Sequence, residues 1–235
     1  PGPINQRCLA LAKKSMRFFL LFFLSALVAI LSTCQSSGSG QQASEEAGPV
    51  TLVVHGGAGN ITRSALDSAE RLRYRQKLKK ALDTGYQLLK SGKPAEEAVE
   101  HTLRILETDS FFNAGRGSVL NENGHVRMDA ALMRGADQQA GAVASCSGVK
   151  HPIAAAHAVM DSSPHVMLVS KGARHFARQQ GLKPADSAYL VTRARYRSYH
   201  QSAYQNRTKH EGAIRHQWGT VGAVALDQEG NLAAG

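Results

Sequence analysis

Gly219-Thr220-Val221-Gly222-Ala223-Val224-Ala225-Leu226-Asp227 is the stretch on which the fold turns. A Thr follows a Gly and opens an apolar, alternating run that reads as a strand. The segment before it, 193–217, is polar, rich in Arg and His and without apolar period, and is expected to be a disordered linker. This is the layout of a proenzyme cut between Gly219 and Thr220. The cut would free an N-terminal Thr that unites nucleophile and base. Its hydroxyl attacks, and its α-amino group, with a reference pKa of about 7.7–8.0, takes the proton. Gly219 has no Cβ and suits a strained scissile bond. The bare string Gly-Thr-Val-Gly is equally an ordinary strand edge, so the rest of the chain has to decide.

Working outward, His55-Gly56-Gly57-Ala58-Gly59 follows the strand-like Val50-Thr51-Leu52-Val53-Val54. As a phosphate loop it fails, because neither Gly-Lys-Ser/Thr nor the full Gly-x-Gly-x-x-Gly spacing follows. A tight strand exit remains. Phe112-Asn113-Ala114-Gly115-Arg116-Gly117-Ser118-Val119-Leu120 comes after a helical pattern, then His125-Val126-Arg127-Met128-Asp129-Ala130-Ala131-Leu132-Met133 and Gly141-Ala142-Val143-Ala144. In this order, with Gly-Thr-Val-Gly-Ala-Val-Ala last, residues 49–192 and 218–235 resemble the plant-type L-asparaginase / isoaspartyl peptidase family of N-terminal-nucleophile hydrolases.

The resemblance implies an α+β fold, a four-layer αββα sandwich. It implies that Thr220 attacks the Gly219 carbonyl by an N-to-O acyl shift, leaving an α chain that ends at Gly219 and a β chain that begins at Thr220. The mature enzyme would hydrolyse L-asparagine to L-aspartate and ammonia, and cleave isoaspartyl (β-aspartyl) dipeptides. Gly57 and Gly59 would belong to a glycine loop packed on the nucleophile, and Asn113 would orient it. His55 is expected to be a structural hydrogen-bonding residue. No cofactor is needed for the chemistry, but a structural sodium ion is implied, wrapped by the backbone carbonyls of Leu106, Glu107, Asp109, Phe112, Ala114 and Arg116. Oxygen-only ligation suits such a hard cation. The αβ pair would be doubled into an (αβ)2 assembly. The sibling glycosylasparaginases usually carry Asp before the nucleophile, where this chain has Gly219, and rank lower.

The chain of 235 residues, 43% hydrophobic, is long enough for one domain with a substantial core. Its formal charge of +10 raises nucleic acid or an anionic membrane as partners, but the cations lie along helix stripes such as Arg71, Arg73, Arg75, Lys77, Lys79 and Lys80 and no nucleic-acid motif accompanies them. Nucleic acid is therefore not expected as a partner. Three cysteines are too few and scattered for a disulfide framework or zinc site, and Cys146 reads as a buried thiol. Lys13, Lys14 and Arg17 precede the apolar run Phe18 to Ile30, too short for a comfortable span of about 20 residues. Leu31-Ser32-Thr33-Cys34 looks like a lipoprotein cleavage box. Residues 1–34 are thus expected to be a targeting segment with Cys34 as its lipidation candidate, and 35–48 a flexible tether. A periplasmic or membrane-anchored location follows, with simple secretion as the alternative. Residues 49–219 form the expected α-subunit region and 220–235 the start of the β subunit.

Helices are expected over 64–91 and 95–107, strands over 126–133 and 139–149, a helix at 152–160, a strand at 165–170 and a helix at 173–180. Asn123-Gly124 signals a hairpin turn. Ser118 and Asp129 are no triad partners, since no Gly-x-Ser-x-Gly elbow exists. His151, His157 and His165 lack metal-ligand spacing. The family's next segment, a Thr-Ser-Thr-Gly-Gly-like run with the substrate clamp and oxyanion hole beyond it, does not follow in these residues. An oxyanion donor is worth about 2.7–4 kcal/mol, so residues 1–235 alone are expected to be inactive, and the enzymatic reading applies to the complete gene product; the alternative is a catalytically inactive surface lipoprotein fragment.

Overall fold

A computed structural model describes residues 48–57, 66–208 and 220–235. The expected targeting segment, most of the tether, and residues Cys34, Gly59 and Gly219 lie outside the described residues.

Strand β1, Thr51–His55, leads after the glycine-rich exit to helix α1, Ser68–Lys90. Asp67 starts α1 with a capping box: its carboxylate accepts from the Glu70 N–H, and the Glu70 side chain accepts from the Asp67 N–H. The helix closes in a Schellman turn, Gly92 N–H to Leu89 O and Lys93 N–H to Leu88 O. Helix α2, Ala95–Thr108, follows at once behind Pro94. A loop and a 3-10 turn, Gly115–Gly117, lead to the antiparallel strands β2, Met128–Arg134, and β3, Ala140–Cys146. The expected hairpin turn is present, with a Leu120–Val126 bridge and the Asn121 side chain accepting from the N–H groups of Asn123 and His125. Helix α3, Pro152–Ser162, strand β4, Met167–Val169, helix α4, Ser170–Gln179, and the short helix α5, Ser187–Leu190, come next.

The segment expected to be disordered, 193–217, is divided. Arg193–Thr208 is a helix, α6, and 209–217 lie outside the described residues. The expectation of disorder fails for the first part because residues 193–208, though polar, contain no Gly or Pro and carry Arg195 and Tyr199, which bond to the loop below. Strands β5, Gly222–Leu226, and β6, Leu232–Ala234, complete the described chain.

The strands form one mixed sheet in the order β1-β5-β6-β2-β3-β4, parallel only between β3 and β4. Pairing places Leu52, Val54, Ala223, Ala225, Ala233, Leu132 and Val143 on one face. That face packs on Ala81, Leu89, Val99, Leu103 and Leu106 of α1 and α2, and on Ile153, Val159 and Met160 of α3. The small residues Ala223, Ala225 and Ala233 let α2 lie close to the middle strands. The opposite face exposes Val53 (60%), Val224, Leu232, Met133, Met167 and Val169. The described residues are therefore a helix layer on a sheet layer, two of the four layers of the α+β sandwich.

A turn after β5 holds this corner together. Pro94 cannot cap α2, and buried Asp227 does so from a distance: Oδ2 accepts from the Ala95 N–H, while Oδ1 accepts from Glu229 and Asn231. The neighbouring Gln228 amide donates to the carbonyls of Leu89 and Lys90, at the end of α1.

Candidate active site

Thr220 stands exposed just before β5, and the next residue, Val221, already packs on the core. Strand β5 runs antiparallel to β1, with Thr51 opposite Leu226 and His55 opposite Gly222. The paired register stops at His55 and Gly222, two residues short of Gly57 on one side and of Thr220 on the other. Gly57 has φ +110, a backbone shape that a side chain resists. Its neighbour Gly56 meets both α1 and the Asn113 loop: a Cβ there would lie 3.0 Å from Leu78 and 3.3 Å from the ring of Phe112. His55 stands exposed at the strand end.

The Asn113 loop is built from the inside. Phe112 is fully buried, and Tyr74 of α1 meets Phe111 and Phe112 edge-on, its hydroxyl donating to the Phe111 carbonyl at 3.0 Å. Asn113 Oδ1 accepts the Val119 N–H at 2.8 Å and so closes the loop on itself. Asp109 pairs with Lys77 at 2.6 Å and accepts from Phe111 N–H. Gly56 thus links the exit of β1 to the Phe112–Asn113 loop through a ring contact.

The expected cation loop is tested by its carbonyls. A Cβ added to Gly117 would strike the Phe112 carbonyl and lie 3.0 Å and 3.1 Å from those of Ser110 and Asp109; one added to Gly115 would strike that of Glu107. Carbonyl oxygens of Asp109, Ser110 and Phe112 therefore crowd Gly117, and that of Glu107 crowds Gly115; of the expected ligands these include Glu107, Asp109 and Phe112, and oxygen donors are the kind a hard cation takes. Leu106 O accepts from Asp109 N–H, and Ala114 O from Gly117 N–H. The Arg116 side chain lies over the Tyr189 ring, 5.5 Å from its centre. Among the described residues no group of three or more His, Cys, Asp or Glu is placed to hold a metal ion.

The Glu107 side chain has a second task. It is 3% exposed, accepts the Ile153 N–H at 2.9 Å, and meets His151 Nδ1 at 3.2 Å, so it caps α3 across the core. Burial pushes its carboxyl well above the usual range, and burial with the nearby Arg104 and Lys150 pulls His151 down to about 4. Both groups therefore favour their neutral forms. His157 is different: the hydrogen bond its ring donates to the Glu100 carboxylate, opposed by burial and aided by the charges of Glu100, Asp161 and Glu96, raises it. Cys146 is buried and its thiol is pushed up to about 11, as expected of an inert packing residue.

A helix layer on a mixed sheet, with a strand that begins just past a Gly-Thr pair beside a glycine-rich exit, has the α+β architecture of the N-terminal-nucleophile class. The sequence profile of the asparaginase family matches residues 48–235, and the chain belongs to that family. It is 45% identical over 186 residues to the isoaspartyl peptidase/L-asparaginase of Bos taurus, a match covering 79% of this chain and 58% of the relative. It is 40% identical to the isoaspartyl peptidase of Salmonella typhimurium over 188 residues, 78% of this chain and 60% of the relative. The isoaspartyl peptidase of Escherichia coli K12 is 38% identical over 192 residues, 80% of this chain and 60% of the relative. The chain thus spans about three fifths of the length of these curated relatives.

Proposed function

We infer that the full-length protein is a threonine amidohydrolase that cuts its own chain at Gly219–Thr220 and then hydrolyses L-asparagine and isoaspartyl dipeptides. The observation that supports this is the position of Thr220, exposed two residues ahead of β5, whose partner strand β1 leads into the glycine-rich exit, in a member of the asparaginase family. In the first step Thr220 Oγ adds to the Gly219 carbonyl carbon. The C–N bond breaks, the hydroxyl proton goes to the leaving nitrogen, and an ester remains. Water then hydrolyses the ester, freeing the Gly219 carboxylate and restoring the hydroxyl. The new α-amine is the base of the second reaction. There Oγ attacks the side-chain amide, the amine leaves as ammonia or an amino acid, and water releases L-aspartate from the acyl-enzyme.

Asn113 and Gly57 support the nucleophile in this reading, with Gly59 and Gly219 completing the loop and the scissile bond. A sodium ion held by the carbonyls of Leu106, Glu107, Asp109, Phe112, Ala114 and Arg116 would keep the loop wound; the crowding about Gly115 and Gly117 supports it. The β chain from Thr220 onward is the first partner, and an (αβ)2 assembly the expected form. Export by the N-terminal segment, with lipidation at Cys34, completes the reading; the basic and apolar order of residues 13–34 supports it.

The test is the full-length protein with Thr220→Ala. The parent is expected to split into two chains, the second beginning with Thr by N-terminal sequencing, and to release ammonia from L-asparagine. The variant is expected to stay one chain and release none. Splitting of the variant at the same bond would remove Thr220 from the chemistry. Activity of the mature parent is expected to fall as pH drops through about 7.7–8.0 and the α-amine is protonated.

A further inference from the structure

The helix that leads toward Gly219–Thr220 is bolted to the Asn113 loop. Thr192 caps α6, its hydroxyl accepting from the Arg195 N–H and its carbonyl from the Tyr196 N–H. This fixes Arg195 in the first turn, where its Nε donates to the Gly117 carbonyl at 2.6 Å. Its partner among the described residues is a neutral carbonyl, and no carboxylate pairs with it there. One turn on, the Tyr199 hydroxyl donates to the Glu122 carbonyl at 2.9 Å, and its ring covers Gly124. A half-buried cation spent on one loop carbonyl costs desolvation, which a mere surface tie does not require.

Gly117 is the position that this bond addresses. Its N–H closes the 3-10 turn on Ala114, and its Cα faces the carbonyls of Phe112, Ser110 and Asp109. Two residues on, Val119 N–H holds Asn113 Oδ1. A donor at Gly117 O therefore sets the path of the segment between the two groups that fix Asn113. From the other end of α6, residues 209–219 run to the expected cut.

We propose that Arg195 is a positioning residue for chain cleavage: by donating to Gly117 O it locks the loop that carries Asn113. This rests on the reading of Thr220 given above. It adds a requirement on a side chain that no motif of the chain singles out.

The experiment compares full-length parent, Arg195→Met, Arg195→Lys and Tyr199→Phe, following the split on denaturing gels after synthesis and the melting temperature of each uncut protein in a Thr220→Ala background. Arg195→Met is expected to split about tenfold more slowly or worse, the size of one lost charge-assisted hydrogen bond. Arg195→Lys, which keeps a charged donor, is expected to recover to within about threefold. A purely structural role would lower melting temperature and rate together; here Met and Lys variants are expected to melt within about 2 °C of each other while their rates differ. If Arg195→Met does not fold, Tyr199→Phe, which removes one hydroxyl at the same seam, decides: slower splitting supports the proposal and parent-rate splitting overturns it. Equal rates in parent, Met and Lys variants overturn the proposal alone. A parent that never splits overturns the reading of Thr220 and the proposal with it.

Discussion

At Glu107 one residue serves two structures. Its carbonyl joins the crowded turn, and its buried carboxyl caps α3 through Ile153. Because burial raises its pKa above 4.5, the folded state keeps the proton where the unfolded chain has lost it. Stability from this group is therefore present below about 4.5 and is lost as pH rises through the folded value. Glu107→Gln keeps an acceptor for Ile153 without that loss, and is expected to gain on the parent between pH 5 and 8 in denaturant titrations. Glu107→Ala is expected to lose about 1–3 kcal/mol near pH 4 and less as pH rises. A Gln variant that loses ground with rising pH would sink this account. At Gly117 the expectation is steric: Gly117→Ala puts a methyl on the Phe112 carbonyl, and a loss of about 2 kcal/mol or more is expected in the same titration. Strand β5 and the glycine-rich exit of β1 were legible in the sequence because an alternating run after a Gly-Thr pair and a glycine string after another run are local patterns. The carboxyl of Glu107 was not, since its partner Ile153 is remote in the chain.

Between elements, α2 and α3 meet along a charged seam. His157 of α3 lies between Glu100 of α2 and Asp161 of its own helix, with Glu96 nearby. Arg134, at the end of β2, reaches Glu96, Asp137 and Asp161. The His157 pKa is raised, so its contribution is fully present below about 6.5 and is lost as pH rises through the folded value. Burial works against Glu100, but the hydrogen bond and charge of His157, with Arg104 and His101, outweigh it and hold that carboxyl low. Its share is lost only as pH falls below the usual carboxylate range. His157→Gln is expected to cost about 1–2 kcal/mol near pH 5.5 and progressively less toward pH 9, measured by unfolding at both. A penalty that grows toward pH 9 would exclude the imidazolium as the link. Helical and strand periods announced α1 to α4 and β1 to β3 to within a few residues. Helix α6 escaped because its polar sequence has no apolar period, and its order comes from Arg195 and Tyr199 finding loop carbonyls.

For the whole molecule, the informative surface is the sheet face away from the helices. Alternation in β1 and β5 marked two faces, but could not say that both would be apolar and only one covered. Val53 and Val224 stand side by side on the open face, with Leu232 and Met133 farther along. A contiguous apolar face of this kind drives association. Residues 48–235 prepared alone are expected to bind a hydrophobic dye and scatter light, and Val224→Lys is expected to reduce both. Dye binding unchanged by Val224→Lys would point to another surface.

The Asp227–Gln228 turn gives the proposed cut a mechanical meaning. Severing the bond before Thr220 would make two polypeptides, yet the second would begin with β5 already flanked by β1 and β6. Its side chains at 227 and 228 would still grip the corner between α1 and α2. The fragment born at the cut is moored before it is released, so the break would free a terminus without freeing a subunit.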